Sequence, residues 1–122
     1  WQVAIHFKDS ADDAERAVQE ITNADGRAIT LQADLADEDA VKALIPEIAR
    51  QLGVVGCVIN NASLFEEDTI ASTTKRSWDD HMAVNLRAPF LLTQSLVENL
   101  PNGEKTLRDL ASSMSSTGVW HS

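Results

Sequence analysis

The stretch that decides the fold is VVGCVINNAS, residues 54–63. Its first six residues are apolar or small and rich in β-branched side chains, which is typical of a strand buried on both faces of a parallel sheet. Asn60 and Asn61 follow at the point where this strand should end. Because ligands of open parallel sheets lie outside the carboxyl ends of the strands, the two amides either face a ligand or simply form a turn. Both interpretations stay open at this point.

Strands and helices alternate on the N-terminal side of this stretch. Two further strands are predicted at residues 3–7 and 28–33, and an amphipathic helix follows each of them. Ser10 or Asp9 is expected to cap the first helix, and Asp25-Gly26 to end it. The second helix is expected to begin at Asp37 and to end at Gly53. This alternation is typical of an α/β fold with a parallel sheet.

A long amphipathic helix is predicted on the C-terminal side, after a polar loop at residues 66–75. The predicted helix begins at Arg76 and ends at Leu100. Pro89 lies in its middle and removes the hydrogen-bond partner of the carbonyl group four residues earlier, that of Asn85. We expect a kink there, whose freed carbonyl group can hold a water molecule. The alternative is a kink that serves packing alone.

Composition limits the classes of function. The 122 residues suffice for one domain, and a net charge of −9 argues against binding to nucleic acid or to an anionic membrane. No apolar run is long enough for a membrane span, and we expect a cytoplasmic setting. The single cysteine, Cys57, is predicted to be buried in the strand. His81 and His121 have no metal-ligand spacing with it, so no metal site is predicted.

Three motifs together resemble the short-chain dehydrogenase/reductases. They are Ala33-Asp34-Leu35, Asn60-Asn61-Ala62, and Val84-Asn85-Leu86 followed by Pro89-Phe90. The likeness covers roughly residues 3–100, and the motifs occur in the order of that family. It implies a Rossmann-type doubly wound parallel sheet, an oxidoreductase activity and a nicotinamide cofactor.

The resemblance also implies roles for individual residues. Asp34 and the backbone of Leu35 would lie beside the adenine, and Asn61, Ala62 and Ser63 would line the cofactor groove. Asn85 would act in catalysis, because its carbonyl group would hold the water of a proton relay.

The end of the first predicted strand bears on the choice of cofactor. Phe7 stands where NAD-selecting members of the family carry an acidic residue, and Lys8 and Ser10 follow it. A cation and a hydroxyl group both donate to an anion, which suits the 2′-phosphate of NADP(H). We therefore favour NADP(H) over NAD(H), against the alternative that Lys8 is an ordinary surface lysine.

One branch of the family fits best. Ser63 replaces a usual glycine and is followed by Leu64 and Phe65, and this resembles the pteridine reductases. Phe65 would bind the substrate by stacking on the pterin ring, or it anchors the base of a loop. The implied substrate is a pteridine or a similar small molecule with a C=N or C=O bond. A 3-oxoacyl or sugar-alcohol substrate is the alternative.

Some parts that the resemblance implies do not stand in this sequence. It contains no tyrosine, so the catalytic Tyr/Lys pair of the family is absent, and none of its five glycines forms a phosphate-binding turn. We therefore interpret the chain as an internal fragment that is inactive by itself. Residues 1–104 would be an incomplete Rossmann-type domain without its first strand, and residues 105–122 a flexible tail.

A different class of function is also open, namely a non-catalytic α/β module that binds a nucleotide or a protein. The predicted helix from Arg76 to Leu100 has too many apolar residues for one face, and the resemblance makes it a subunit interface. We expect a homo-oligomer formed through this helix.

Overall fold

The computed structural model describes residues 1–101, so the predicted tail at 105–122 lies outside the described residues. The described part contains two strands, β1 (Gln2–Phe7) and β2 (Arg27–Gln32). Helices α1 (Ala11–Asn23) and α2 (Glu38–Leu52) follow these strands. Helices α3 (Lys75–Met82) and α4 (Ala88–Glu98) are joined by a π-helical turn, Ala83–Arg87.

The two strands form a parallel sheet in which α1 is the crossover. Gln2 pairs with Arg27 and Phe7 with Gln32, so the two strands are in register over their full length. Beyond the last pair, the Ala33 amide donates to the Phe7 carbonyl oxygen at 3.1 Å. Because the strands are parallel, both carboxyl ends lie at the same edge of the sheet.

A tight turn connects α1 to β2, as the sequence Asp25-Gly26 predicted. Asp25 has a φ of 59°, and the Gly26 amide donates to the Ile21 carbonyl oxygen at 2.9 Å. A Cβ atom on Gly26 would lie 2.6 Å from Cγ2 of Ile21 and 2.9 Å from its carbonyl oxygen. Glycine is therefore required here by close approach of the preceding helix.

The helix ends confirm one predicted cap and correct another. The Asp37 side chain accepts hydrogen bonds from the amides of Asp39 and Ala40, and Gly53 ends α2 with a φ of 90°. Ser10 precedes α1, but its side chain makes no capping hydrogen bond. Instead, the Ser10 carbonyl oxygen accepts from the Ala14 amide at 3.1 Å. The predicted side-chain cap of α1 is therefore wrong.

The core lies between α2, α4 and the segment that follows β2. Helix packing supplies most of it, because α2 and α4 present their apolar faces to each other and the residues after β2 close one side. Its buried members are Ala33, Leu35, Val41, Leu44, Ile45, Ala88, Leu91 and Leu92.

The predicted long helix is helical from Lys75 to Glu98, and its irregularity lies close to Pro89 as expected. The irregularity is a π-helical turn, in which the Ala88 amide donates to the Ala83 carbonyl oxygen five residues earlier. Pro89 follows this turn directly, inside the continuous helix, and has no N–H group to donate to the helical ladder. The helix thus widens before the proline and continues beyond it.

The strand predicted at residues 54–59 is not formed. Within residues 1–101 the sheet has two strands, and the 54–59 segment pairs with neither of them. Val55 and Val58 pack against the core, whereas Val54 and Ile59 are 61% and 84% exposed. Cys57 is exposed as well, which corrects its predicted burial. A strand needs a neighbour for its backbone groups, and β-branched composition does not replace one.

Candidate functional site

A groove of about 540 Å³ opens at the carboxyl ends of β1 and β2. Its walls come from four places, namely the two strand ends, the first turns of α1, the loop after the 54–59 segment, and the long helix at Asp80 and Val84. Most of the predicted site residues line it. They are Phe7, Lys8, Ser10, Asp34, Leu35, Ala62 and Ser63. Parallel pairing explains why residues far apart in sequence meet here, because it brings both strand ends to one edge.

An ion pair spans the strand-end side of the groove. Lys8 Nζ lies 2.9 Å from Asp34 Oδ2, and Asp34 Oδ1 accepts from the Ala36 amide at 2.9 Å. The Ala36 amide and then Lys8 hold the pKa of Asp34 below its ordinary value. The hydrogen bond and the charge of Asp34 raise the pKa of Lys8. Asp34 therefore stays ionised and partly neutralises the cation that was predicted for a phosphate group.

Two contacts across the sheet fix these strand ends. The His6 imidazole Nε2 lies 2.9 Å from the Ala33 carbonyl oxygen. The Gln32 side-chain amide donates to the Lys8 carbonyl oxygen, also at 2.9 Å. Together with the ladder, these bonds set the spacing between Lys8 and Asp34.

The charge of the groove is mainly negative. Besides Asp34, its lining includes the carboxylates of Asp9, Asp13 and Asp80, and Lys8 is the single lysine or arginine in that lining. An anionic ligand would therefore depend on Lys8, on Ser10 and on backbone amides. A phosphate group at this end of the groove would have to compete with Asp34 for Lys8.

The loop side of the groove is held by side chains of the long helix. Asn85 Oδ1 accepts from the Leu64 amide at 2.8 Å, and Asn85 Nδ2 donates to the Leu64 carbonyl oxygen at 2.8 Å. His81 Nε2 accepts from the Glu66 amide at 3.1 Å. Phe65 lies between these two anchored residues, and its side chain is 85% exposed.

Three predicted site residues are outside the groove lining. Asn61 is exposed. Its backbone N–H group donates to the Ile59 carbonyl oxygen at 3.1 Å, which supports the turn interpretation of the asparagine pair. Phe65 is exposed and does not line the groove, whereas its neighbour Leu64 does. Asn85 reaches the loop through its side chain, whereas the prediction assigned a role to its carbonyl group. Their roles toward a ligand stay predictions.

Sequence reasoning missed His81 and Arg87. The Arg87 guanidinium donates to the Ala36 carbonyl oxygen at 2.8 Å, so the π-helical turn also contacts the loop of Asp34. The four-residue spacing of His81 and Asn85 was an available signal, because it places both side chains on one helix face. Nothing in the sequence pointed to Arg87, whose partner is 51 positions away.

Within residues 1–101, no group of three or more His, Cys, Asp or Glu side chains could hold a metal ion. No helix in that range is long and apolar enough to cross a membrane.

The family is established by comparison with known proteins. A family model described as short chain dehydrogenase matches residues 1–108. The chain therefore belongs to the short-chain dehydrogenase/reductase family, and the Rossmann-type α/β class predicted from the sequence is confirmed.

Individual proteins are similar to this chain in sequence, and others are similar in structure as well. The 3-oxoacyl-[acyl-carrier-protein] reductase FabG of Staphylococcus aureus is 32% identical over 90 residues, which cover 74% of this chain and 37% of FabG. Versicolorin reductase stcU of Emericella nidulans is 27% identical over 118 residues, 97% of this chain and 45% of its own. This chain thus spans less than half the length of these relatives.

Solved structures show the same partial coverage. FolM Alternative dihydrofolate reductase 1 from Brucella suis, in complex with NADP, is 34% identical with a TM-score of 0.77, over 84% of this chain and 42% of FolM. A short chain dehydrogenase from Burkholderia cenocepacia, also in complex with NADP, is 32% identical with a TM-score of 0.78, over 81% of this chain and 40% of its own.

Proposed function

We propose that this chain supplies the adenine and ribose side of an NADP(H) site in an oxidoreductase that reduces a pteridine or a similar small C=N or C=O compound. The observation that carries the proposal is the meeting of Lys8, Ser10 and Asp34 in one groove at the strand ends. The NADP complexes of the FolM and Burkholderia structures also support it. When bound, the reduced nicotinamide would supply the hydride.

The predicted site residues in the groove lining have separate tasks in this proposal. Asp34 and the Leu35 backbone lie beside the adenine, and Ala62 and Ser63 form the opposite wall. Phe7 places no carboxylate at the strand-end position where NAD-selecting members of the family carry one. Lys8 exchanges Asp34 for the 2′-phosphate, and Ser10 donates to the same group. The cation is thus held in place by Asp34 before the cofactor binds.

Cofactor titration tests this arrangement. We expect the purified chain to bind NADPH about tenfold more tightly than NADH. A charge-assisted hydrogen bond contributes about 1.5–3 kcal/mol, and loss of the exposed pair between Lys8 and Asp34 offsets part of it. Lys8→Ala should remove the preference and leave the Kd for NADH unchanged. Nicotinamide fluorescence measures both constants. Because the sequence has no tyrosine, binding and not turnover is the quantity measured.

The matched control is Lys42→Ala. Lys42 forms an ion pair with Glu38 on α2 at 2.5 Å, and both pairs are similarly exposed. The control should bind both cofactors as the unmodified chain does. Equal binding of NADPH by the Lys8 and Lys42 variants would contradict the proposed role of Lys8.

The pteridine substrate is proposed from Phe65 and from the similarity to FolM, whose structure is described as an alternative dihydrofolate reductase. An exposed aromatic ring beside the cofactor groove can stack on a flat heteroaromatic ring. In the presence of NADPH we expect dihydrofolate to bind, and Phe65→Ala to weaken it about three- to tenfold. Ile70→Ala is the control, because Ile70 is fully exposed in the same loop.

A 3-oxoacyl substrate is the second candidate, since FabG is similar over most of this chain. The two candidates predict different ligands at the loop side of the groove. Acetoacetyl coenzyme A in the same titration distinguishes them. Binding of this compound, without binding of dihydrofolate, would replace the pteridine by a 3-oxoacyl substrate.

We also propose that the protein self-associates through the long helix. Four apolar side chains recur every four residues along α3, the π-helical turn and α4, and all are exposed. They are Trp78 at 59%, Met82 at 39%, Leu86 at 59% and Phe90 at 59%. A second copy can cover such a stripe with the same stripe around a two-fold axis.

Sedimentation velocity tests the self-association. Phe90→Asp places a charge within the stripe and should convert the oligomer to monomers. Ile59→Asp is the control, because Ile59 is an exposed apolar residue outside the stripe. A monomeric unmodified chain, or an oligomer that Phe90→Asp leaves intact, would refute the proposed interface.

A further inference from the structure

The stretch Leu64-Phe65-Glu66 is fastened to the long helix at its two ends. Both polar backbone groups of Leu64 bond to the Asn85 amide, and the Glu66 amide donates to His81. His81 and Asn85 are four residues apart, so they stand one turn apart on the same face of the helix. The backbone of Phe65 is therefore held from both sides by side chains of a regular element.

The hydrogen bonds of His81 define its tautomer. Nδ1 lies 2.8 Å from the Ser77 carbonyl oxygen, which can only accept, so Nδ1 carries the proton. Nε2 faces the Glu66 amide at 3.1 Å, which can only donate, so Nε2 presents its lone pair. The contact thus requires a neutral imidazole, oriented by Ser77 within α3. The hydrogen bond from Nδ1 to the Ser77 carbonyl oxygen fixes the plane of the ring.

The anchoring of Leu64 and Glu66 matters for the Phe65 side chain between them. Phe65 is 85% exposed, so its ring makes few packing contacts that could fix its position. An aromatic ring on a mobile loop would lose both backbone and side-chain freedom when a ligand stacked on it. Anchoring of its neighbours removes the backbone part of that loss before binding.

We propose that His81 is a positioning residue that holds Phe65 for stacking on a flat heteroaromatic substrate, through the bond from its Nε2 to the Glu66 amide. The inference rests on the proposed substrate class and on the proposed role of Phe65. Asn85 holds the other end of the stretch. His81 itself contacts neither the substrate nor the cofactor.

Three variants and a double variant test the role. His81→Ala removes the acceptor, His81→Gln supplies a side-chain oxygen in its place, and Phe65→Ala removes the ring. We expect His81→Ala to weaken dihydrofolate binding about three- to tenfold, as the loss of one neutral hydrogen bond implies. His81→Gln should stay within about twofold of the unmodified chain. The Kd for NADPH should not change in either.

The double variant separates positioning from a general structural effect. If His81 acts through Phe65, then His81→Ala should weaken dihydrofolate binding no further in a chain that already carries Phe65→Ala. Nitrogen NMR of the unmodified chain should show the neutral imidazole protonated at Nδ1. Exchange of the Glu66 amide should be slowed in the unmodified and Gln variants and fast in the Ala variant.

The outcomes distinguish the two proposals. Dihydrofolate that binds equally to all His81 variants, or additive losses in the double variant, would overturn the positioning role alone. A fast-exchanging Glu66 amide in the unmodified chain would overturn it as well. No binding of dihydrofolate to the unmodified chain would overturn the substrate class and, with it, the inference.

Discussion

Strand β2 and the 54–59 segment are alike in sequence but differ in structure. Each has six residues, contains β-branched side chains and precedes polar residues near the groove. β2 pairs in register with β1, whereas the 54–59 segment has no partner among the described residues. The difference teaches that local composition gives a segment the capacity to be a strand, and that a neighbouring strand makes it one.

The two segments also hold their ends of the groove in different ways. The ladder itself fixes Asp34 beyond β2, and the ion pair to Lys8 completes that side. Beyond the 54–59 segment, the loop is held by Asn85 from the long helix. Positioning of the groove thus depends on the sheet on one side and on a helix on the other.

The largest expected effect is on packing. Leu31→Ala in β2 should lower the free energy of unfolding by about 2–3 kcal/mol, because Leu31 packs against the core and its loss leaves a cavity. Ile59→Ala should change it by less than about 0.5 kcal/mol, since Ile59 is 84% exposed. Urea denaturation measures both. Equal losses would show that the 54–59 segment is packed as a strand.

Substitution of two glycines compares β2 with the 54–59 segment again, with a smaller expected effect on the free energy of unfolding. Gly26→Ala, just before β2, should destabilise the fold by about 1–2 kcal/mol, since the new Cβ would lie 2.9 Å from the Ile21 carbonyl oxygen. Gly56→Ala, within the other segment, meets no atom within 4 Å. It should be neutral or stabilising by up to about 1 kcal/mol. Thermal unfolding of both variants measures the contrast, and a destabilising Gly56→Ala would contradict it.

The smallest expected effect is electrostatic and depends on pH. The pKa of Asp34 is lowered from 3.8, so its ionised form is favoured in the folded state. Its contribution to stability is therefore fully present above that ordinary value and is lost as the pH falls through the lowered pKa. Asp34→Asn should be less stable than the unmodified chain by less than about 1 kcal/mol near neutral pH, because the pair with Lys8 is exposed.

Urea denaturation from pH 7 downward measures this difference. The gap between Asp34→Asn and the unmodified chain should close in acid, below the ordinary pKa of an aspartate. Asn61→Ala is the control at the end of the 54–59 segment. It removes no titratable group, so its effect on stability should be the same at every pH. A gap for Asp34→Asn that does not vary with pH would exclude the ion pair as its source.

Much of the fold could be predicted because the deciding signals are local. Asp37 and Gly53 bound α2 through bonds and dihedral angles of their own neighbourhood. Gly26 ends the turn before β2 for a similarly local reason, its contact with Ile21. The conformation of the 54–59 segment could not be predicted from its own residues, because strand pairing depends on another part of the sheet.

The site was predictable to a similar extent. The strand-end residues Lys8 and Asp34 meet because parallel pairing brings strand ends together, and the sequence indicated that pairing. The bond between His81 and the Glu66 amide depends on the path of a loop, which no local pattern specifies. The same is true of Arg87, whose partner is a backbone carbonyl group with no side-chain signal.

The π-helical turn Ala83–Arg87 has a consequence for how this protein can change. Asn85 and Arg87 lie in it and bond to opposite flanks of the groove, at Leu64 and Ala36. A π-helical turn holds one residue more than an α-helical turn, so removal of one residue would restore α-helical winding and leave the buried face of α4 in place. Asn85 and Arg87 would then no longer both reach their partners, because their directions depend on the wider turn. A one-residue deletion here should therefore spare the core and release a flank of the groove.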